Sequence, residues 1–121
     1  MEGKGMSSNQ SDELTILWTT PDPVTAREMV LLYALNAKKR GWWNTVTVVV
    51  WGGSAELISR DEEVRRSIKA CIAGGVIFSA CKKCADDLAI TDSLTEIGIE
   101  ARYWGEPLTR LLKDGARLIT I

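Results

Sequence analysis

The chain has 121 residues, with 15 Lys and Arg against 16 Asp and Glu, so its formal net charge at pH 7 is −1. This length fits a single domain with one core, and the balanced charge excludes the basic surface by which proteins hold nucleic acid. The sequence contains no His, which excludes a Ser–His–Asp triad, a Cys–His pair and a His-ligated metal site within one chain. No apolar run approaches the roughly 18 residues that cross a bilayer, so we expect no membrane span.

Residues 1–12 are polar, and we predict a flexible tail there. This segment has no apolar stretch of the kind that a secretory signal requires. The three cysteines are an odd number, which argues against a disulfide scaffold and indicates a reducing compartment. We therefore expect a cytoplasmic protein.

From Glu13 onward, short apolar runs alternate with longer helical patterns. The run TVTVVVW is almost entirely apolar and β-branched, which is typical of a strand buried on both faces in a parallel sheet. Asp22 followed by Pro23 predicts the N-cap and first residue of a helix, and SRDE at 59–62 predicts a capping box. The predicted strands are 14–19, 45–51, 76–80, 99–104 and 116–121, and the predicted helices are 24–40, a short one ending at 57, and others beginning near 59, 82, 94 and 107.

Strands that alternate with helices at this spacing form βαβ units, whose right-handed crossovers make the strands parallel. We therefore predict an α/β fold, a three-layer α/β/α sandwich with a parallel sheet of about five strands, in a single domain over residues 13–121. Ligands of such sheets bind just beyond the carboxyl ends of the strands. The residues predicted to line a pocket there are Thr19, Thr20, Asp22, Gly52, Gly53, Ser79, Trp104 and Gly105.

Cys81 lies at the same edge, where the third strand gives way to a helix. Unpaired backbone N–H groups and the helix dipole favour a thiolate at this position. Lys82 and Lys83 add positive charge, and such surroundings lower a thiol pKa from about 8.5 to roughly 3.5–7.5. Cys84 follows one helical turn later, with a Cα separation of about 5 Å that permits a disulfide. We predict that Cys81 is the exposed attacking sulfur and Cys84 the more shielded resolving or assisting one.

Other interpretations of the cysteines stay open. Free Cys often serves as a small core residue, which is the interpretation we favour for Cys71 on its apolar helix stripe and which applies equally to Cys84. A zinc site usually needs four ligands, and only Cys71 and acids such as Asp86 or Asp87 remain to complete one. We therefore predict no metal and no cofactor, unless several chains pool their cysteines.

Two further motifs favour ordinary structural roles. Gly52 and Gly53 belong to neither a GxGxxG nor a GxxxxGK[ST] motif, so a turn is favoured over a nucleotide site. Trp42 and Trp43 lie on the loop into the second strand, and large aromatic residues in such a loop indicate packing or a subunit contact.

The chain resembles the DsrE/DsrF-like family, which includes the TusD subunit of bacterial sulfur relays. The resemblance covers nearly all of residues 14–121 and is carried by TTPDP, WGG, GGVIFSACKKCADDLAI, LTEIGIEARYWG and LTRLLKDGARLITI. It implies a three-layer fold, assembly into trimers, hexamers or related oligomers, and a cysteine after the third strand, here Cys81, that carries persulfide sulfur in some members of the family. The sequence departs from the relay subunits in having Cys84 and the lysine pair before it.

The leading functional prediction is sulfur handling, in which Cys81 accepts sulfane sulfur from a donor and passes it to a thiol of a partner protein. The first alternative is thiol–disulfide or peroxide chemistry in which Cys81 and Cys84 cycle as a pair. The second is a non-catalytic oligomeric binding module whose cysteines only pack.

Overall fold

The computed structural model describes residues 12–121. Five strands form one sheet in the order β4-β3-β2-β1-β5, and each neighbouring pair is parallel. This confirms the predicted α/β fold with a five-stranded parallel sheet. The predicted tail lies, except for Asp12, outside the described residues. The strands are β1 (Glu13–Trp18), β2 (Thr45–Val50), β3 (Ile77–Cys81), β4 (Glu100–Arg102) and β5 (Arg117–Thr120).

The first connection is one helical stretch in three parts. It begins at α1 (Pro23–Thr25), continues through a π-helical segment (Ala26–Leu31) that the sequence did not predict, and ends as α2 (Leu32–Lys39). Asp22 caps its start as predicted, because Asp22 Oδ2 accepts the Thr25 N–H at 2.8 Å. The later helices are α3 (Gly53–Arg60), α4 (Glu62–Ala73), α5 (Lys82–Asp87), α6 (Thr91–Thr95) and α7 (Gly105–Lys113).

Several predicted boundaries differ from the structure by two or three residues, and the differences at α4 and at the fourth strand have a clear physical reason. The cap of α4 is Asp61, whose Oδ1 accepts the Val64 N–H at 3.0 Å, while Ser59 still belongs to α3. The short aspartate side chain reaches the N3 amide from that position, so the helix starts two residues later than the predicted box. The fourth strand ends at Arg102 instead of continuing to 104, because Trp104 takes the N-cap position of α7.

The direction of the connections places the helices on the two faces of the sheet. The chain steps from β1 through β2 and β3 to β4 in one direction, so right-handed crossovers put α1 to α6 on one face. The return from β4 to β5 runs the other way and puts α7 on the opposite face. The packing agrees, since α4 contacts the π-helical segment and α3 contacts both α4 and α6. The result is three layers with unequal cover.

The main core lies between the sheet and α1 to α6. Alternate residues of β1, namely Leu14, Ile16 and Trp18, are buried in it. Val49, Cys81 and Trp104 are also buried but are not part of this core. None of the nine residues of α7 is itself buried, so that face is thinly covered. No helix in residues 12–121 has the length and apolar character needed to span a bilayer.

Candidate functional site: a thiol pair at the end of strand three

The sheet topology creates a crevice between β3 and β4. The chain leaves β3 into α5 on the helix-rich face, whereas it leaves the adjacent β4 toward α7 on the other face. In open α/β sheets, ligand sites form where the connections from two neighbouring strands leave toward opposite faces of the sheet. Cys81, the last residue of β3, is the register partner of Arg102 in β4. A cysteine and an arginine therefore flank the crevice.

Cys81 is nearly sealed, which corrects the prediction that it is the exposed sulfur. Only 5% of the residue is accessible to solvent. Its Sγ acts as the N-cap of α5 and accepts the Cys84 N–H at 3.5 Å. Phe78 and Ala80 of the same strand belong to the main core, whereas Cys81 is buried outside it. Cys81 thus lies at the predicted edge of the sheet, but it is buried below the surface of the protein.

Cys84 is the partly exposed thiol of the three. Burial raises its pKa, and a hydrogen bond to the Cys81 sulfur raises it further. The N–H of Gly52 donates to the Cys84 sulfur and acts in the opposite direction. Gly52 has φ +74, in the left-handed region that glycine favours, at the turn after β2. Two adjacent strand ends therefore converge on one sulfur, with a second sulfur directly behind it.

The lysines between the two thiols have carboxylates as their nearest partners. Lys82 Nζ and Lys83 Nζ each lie 2.6 Å from an aspartate oxygen one turn on, of Asp86 and Asp87 respectively. These contacts raise the pKa of both lysines. Both thiols also raise the pKa of Lys83, but they are the smallest of its causes. The aspartates neutralise much of the charge of the two lysines. Stabilisation of a thiolate by these lysines stays a prediction.

Gly53 and the residues at the end of β1 hold the loops around the pair together. Thr19 Oγ1 donates to the carbonyl of Ile121 at 3.0 Å, and Thr20 Oγ1 accepts the N–H of Asp22 at 3.2 Å. A Cβ on Gly53 would lie 2.8 Å from the Thr19 carbonyl oxygen, so only glycine fits there without movement. These contacts tie the end of β1 to the last residue of the chain and to the turn after β2, and a pocket-lining role for these residues stays a prediction.

Ser79 and Trp104 contact each other directly. Trp104 Nε1 donates to Ser79 Oγ at 2.8 Å, and both residues are buried. Ser79 Oγ also contacts Glu100 Oε1 at 3.2 Å. The Arg102 guanidinium lies 4.8 Å above the Trp104 ring. These contacts link β3, β4 and the start of α7 into one cluster.

The comparisons with known proteins place the chain among relatives whose activity is not known. The solved structure of the conserved protein of unknown function BT1422 from Bacteroides thetaiotaomicron is 37% identical, with a TM-score of 0.92. The match covers 95% of this chain and 99% of that one. This chain belongs to the family of BT1422. No protein-family model and no curated protein matches it.

A second solved structure shares the fold of this BT1422 family member. The protein of unknown function MTH1491 from Methanobacterium thermoautotrophicum is 19% identical, with a TM-score of 0.66 over 90% of this chain and 98% of that one. At this identity the likeness extends to the architecture alone. The chemistry of the thiol pair must therefore be argued from its own residues.

Sequence reasoning missed the polar residues that flank the crevice. A cavity of about 210 Å³ lies between β4 and α7, and of the predicted pocket residues only Trp104 lines it. Gly105 begins α7 beside this cavity. Arg102 was detectable as the residue two before Trp104 in a predicted strand, but its pairing with Cys81 depends on strand register. The lining residues are Arg102, Trp104, Pro107, Arg110, Leu111 and Asp114.

Cys71 has the structural role predicted for it. It is 2% exposed, and its thiol donates to the carbonyl of Leu31, at the end of the π-helical segment, at 3.6 Å. Burial raises the pKa of Cys71 to about 11. The thiol therefore stays protonated at neutral pH, and it cannot compete with the pair as a nucleophile.

The remaining motifs lie away from the pair. Trp43 Nε1 donates to Tyr33 Oη at 3.1 Å and packs against the core, whereas Trp42 is 54% exposed with its ring 6.0 Å from that of Tyr33. Trp42 thus remains available for a subunit contact. Among residues 12–121, no group of three or more Cys, Asp or Glu converges in a way that could hold a metal ion.

Proposed function

We propose that the chain handles sulfane sulfur at the Cys81–Cys84 pair, taking it from a persulfide donor and passing it to a thiol of a partner protein. One observation carries the proposal. Two thiols lie together at the carboxyl end of a parallel strand, where Cys81 Sγ accepts the Cys84 N–H at 3.5 Å and the backbone N–H of Gly52 donates to the outer sulfur. The resemblance to the DsrE/DsrF-like family supports the same chemistry, because that family includes sulfur relay subunits.

The exposure of the two thiols determines their order in this proposal. A donor must bring its outer sulfur within bonding distance of the attacking sulfur, and a partly exposed Cys84 permits this while a 5% exposed Cys81 does not. Cys84 therefore accepts the sulfur first, reversing the order predicted from the sequence. Its raised pKa lowers the thiolate fraction, but the intrinsic nucleophilicity of a thiolate rises with pKa and offsets part of this loss.

The test uses variants in which each sulfur of the pair is present alone. Reduced Cys81→Ser and Cys84→Ser proteins are incubated with a tertiary alkyl persulfide, and their intact masses are measured. We expect Cys81→Ser to gain one sulfur atom and Cys84→Ser to gain almost none. Cys71→Ser, which retains the pair and a hydroxyl to face the Leu31 carbonyl, is the matched control for substitution at a buried cysteine. Absence of any sulfur gain in folded Cys81→Ser would remove the proposal.

A dithiol redox function is the second candidate, and the contact of Cys81 Sγ with the Cys84 N–H at 3.5 Å, which keeps the two cysteines close together, favours it. A pair one helical turn apart meets the Cα separation that a disulfide needs. Under mild peroxide treatment this function predicts a Cys81–Cys84 disulfide with a measurable reduction potential. Peroxide that leaves both thiols free to alkylation would eliminate it.

We further infer assembly into a homo-oligomer in the cytoplasm. The exposed apolar side chains of Trp42, Ile77 and Leu112 and the thin cover of the α7 face support the oligomer, and reduced thiols fit a reducing compartment. Light scattering behind size exclusion would show a mass of three or six chains. If the chain proves oligomeric while all three thiols are inert in the folded state, the non-catalytic binding module replaces sulfur handling.

A further inference from the structure

The arrangement of the two sulfurs, one in front of the other, has a chemical consequence for sulfur held on Cys84. The sulfur of Cys81 already contacts the Cys84 backbone N–H at 3.5 Å and shares a hydrogen bond with the Cys84 thiol. A persulfide formed on Cys84 would therefore have a thiol directly behind its inner sulfur. A second thiol in this position shortens the lifetime of the carried sulfur, because it can displace it by thiol–disulfide exchange.

We propose that Cys81 resolves the Cys84 persulfide and releases its sulfur as hydrosulfide whenever no acceptor thiol arrives first. This inference rests on the proposed function and adds a product to it. The chain then acts as a reductive sulfide-releasing protein as well as a carrier, with a persulfide as its substrate and an external dithiol as its reductant.

The chemistry balances in three steps. The Cys84 thiolate attacks the outer sulfur of the donor persulfide, the donor S–S bond breaks, and the donor leaves as a thiolate. The Cys81 sulfur then attacks the inner, Cys84 sulfur. The S–S bond of the persulfide breaks, and the outer sulfur, which already carries a hydrogen, leaves with the electron pair as HS⁻. The Cys81 thiol proton passes to the departed donor thiolate or to solvent. The two cysteines end as a disulfide, which an external dithiol reduces to two thiols by exchange.

The burial of Cys81 fits the resolving role. At 5% exposure it is shielded from donors and oxidants in solution, while its neighbour at the next helical turn stays within reach. A sulfur so placed reacts chiefly with what is bound to Cys84. This selectivity distinguishes the pair from two equally exposed thiols, which would each collect sulfur independently.

The spacing of three residues between Cys81 and Cys84 also permits the disulfide that the reaction forms. Residues separated by three positions in a helical turn have Cα atoms about 5 Å apart, inside the range of unstrained disulfides. Cys71, by contrast, lies in the main core and bonds to Leu31, so it cannot substitute as the resolving thiol.

The experiment supplies one equivalent of a tertiary alkyl persulfide to the reduced, full-length protein without any reductant. Released hydrosulfide is trapped with a bimane reagent and the protein is analysed by intact mass. We expect about one equivalent of hydrosulfide per chain, and a protein two hydrogens lighter than the reduced form, as a disulfide product requires. Buffer with persulfide but no protein gives the background, and Cys71→Ser should match the wild type.

The variant Cys81→Ser should stall, keeping one extra sulfur on Cys84 and releasing at least about tenfold less hydrosulfide. Cys81→Ala serves if the serine variant fails to fold, with circular dichroism as the check. Wild-type protein that keeps the extra sulfur without releasing hydrosulfide would overturn this inference and leave the proposed function intact. A gain of sulfur on Cys81 in the Cys84→Ser variant would overturn the order of the two thiols. No sulfur uptake by any variant would instead remove the proposed function itself.

Discussion

Alkylation of the folded, reduced protein with iodoacetamide separates the three cysteines by rate. We expect Cys84 to react first and Cys71 last. Burial raises the pKa of Cys71 from 9.0 to about 11, which lowers its thiolate fraction at pH 8 from about one in ten to about one in a thousand. The higher nucleophilicity that accompanies a higher pKa returns roughly tenfold of this hundredfold loss. The remaining tenfold is a minimum, because a residue that is 2% exposed must also wait for local opening.

Cys84 should show a different dependence on pH. Its pKa is raised above the ordinary 9.0, so its thiolate fraction is small at neutral pH and grows with each step toward that pKa. The alkylation rate should therefore rise nearly tenfold between pH 7 and 8, and it should still be rising at pH 9. Cys81, at 5% exposure, should follow more slowly.

Peptide mass mapping after timed quenching assigns each rate to its residue, and the same reaction in denaturant, where all three thiols are free, gives the reference rates. Preferential labelling of Cys81 would refute the exposure argument on which the order of the pair depends. A rate for Cys84 that levels off below pH 8 would contradict the direction of its pKa shift. Equal protection of all three thiols would favour the non-catalytic module.

Three stability measurements by urea denaturation test the frame around the pair. Trp104→Phe loses the hydrogen bond to Ser79 and some buried area, and should cost about 1–2.5 kcal/mol; a double-mutant cycle with Ser79→Ala that shows no coupling would contradict that bond. Gly53→Ala should destabilise by about 1–3 kcal/mol through its backbone clash, whereas Gly105→Ala, with nothing within 4 Å of the added carbon, should be neutral or slightly stabilising. Asp61→Ala removes the cap of α4 and should cost about 1 kcal/mol, and an unchanged midpoint would return the cap to Ser59.

The fold could be predicted from the sequence because its signals are local. The β-branched run of β2 identifies a central strand, and the alternation of apolar runs with helical stripes requires parallel βαβ units. The cap at Asp22 was equally readable, since one side chain and one N–H three residues on form it. The π-helical segment was not, because a single inserted residue leaves the apolar stripe of Ala26–Leu31 almost unchanged.

The location of the thiol pair was predictable, but its exposure was not. The order of the elements along the chain places Cys81 at the carboxyl end of the third strand, the edge of the sheet where ligands of such folds bind. Whether it is covered depends on the strand pleat and on the region around Trp104, which arrives from β4 through long-range register. Arg102 was missed for the same reason. Local patterns thus identify the two cysteines, while tertiary packing decides which of them is exposed.

The cap held by Cys81 determines how readily the inner thiol can act on its neighbour. To attack the Cys84 sulfur, Cys81 must give up the N–H bond that it accepts at 3.5 Å. Capping bonds to oxygen are worth about 0.5–2 kcal/mol, and a weak sulfur acceptor at this length lies near the lower end. Losing it would slow the attack by only a few-fold. Fast delivery of sulfur to a partner would therefore require the acceptor to be docked before the donor leaves, since a free Cys84 persulfide has its resolving thiol already in contact.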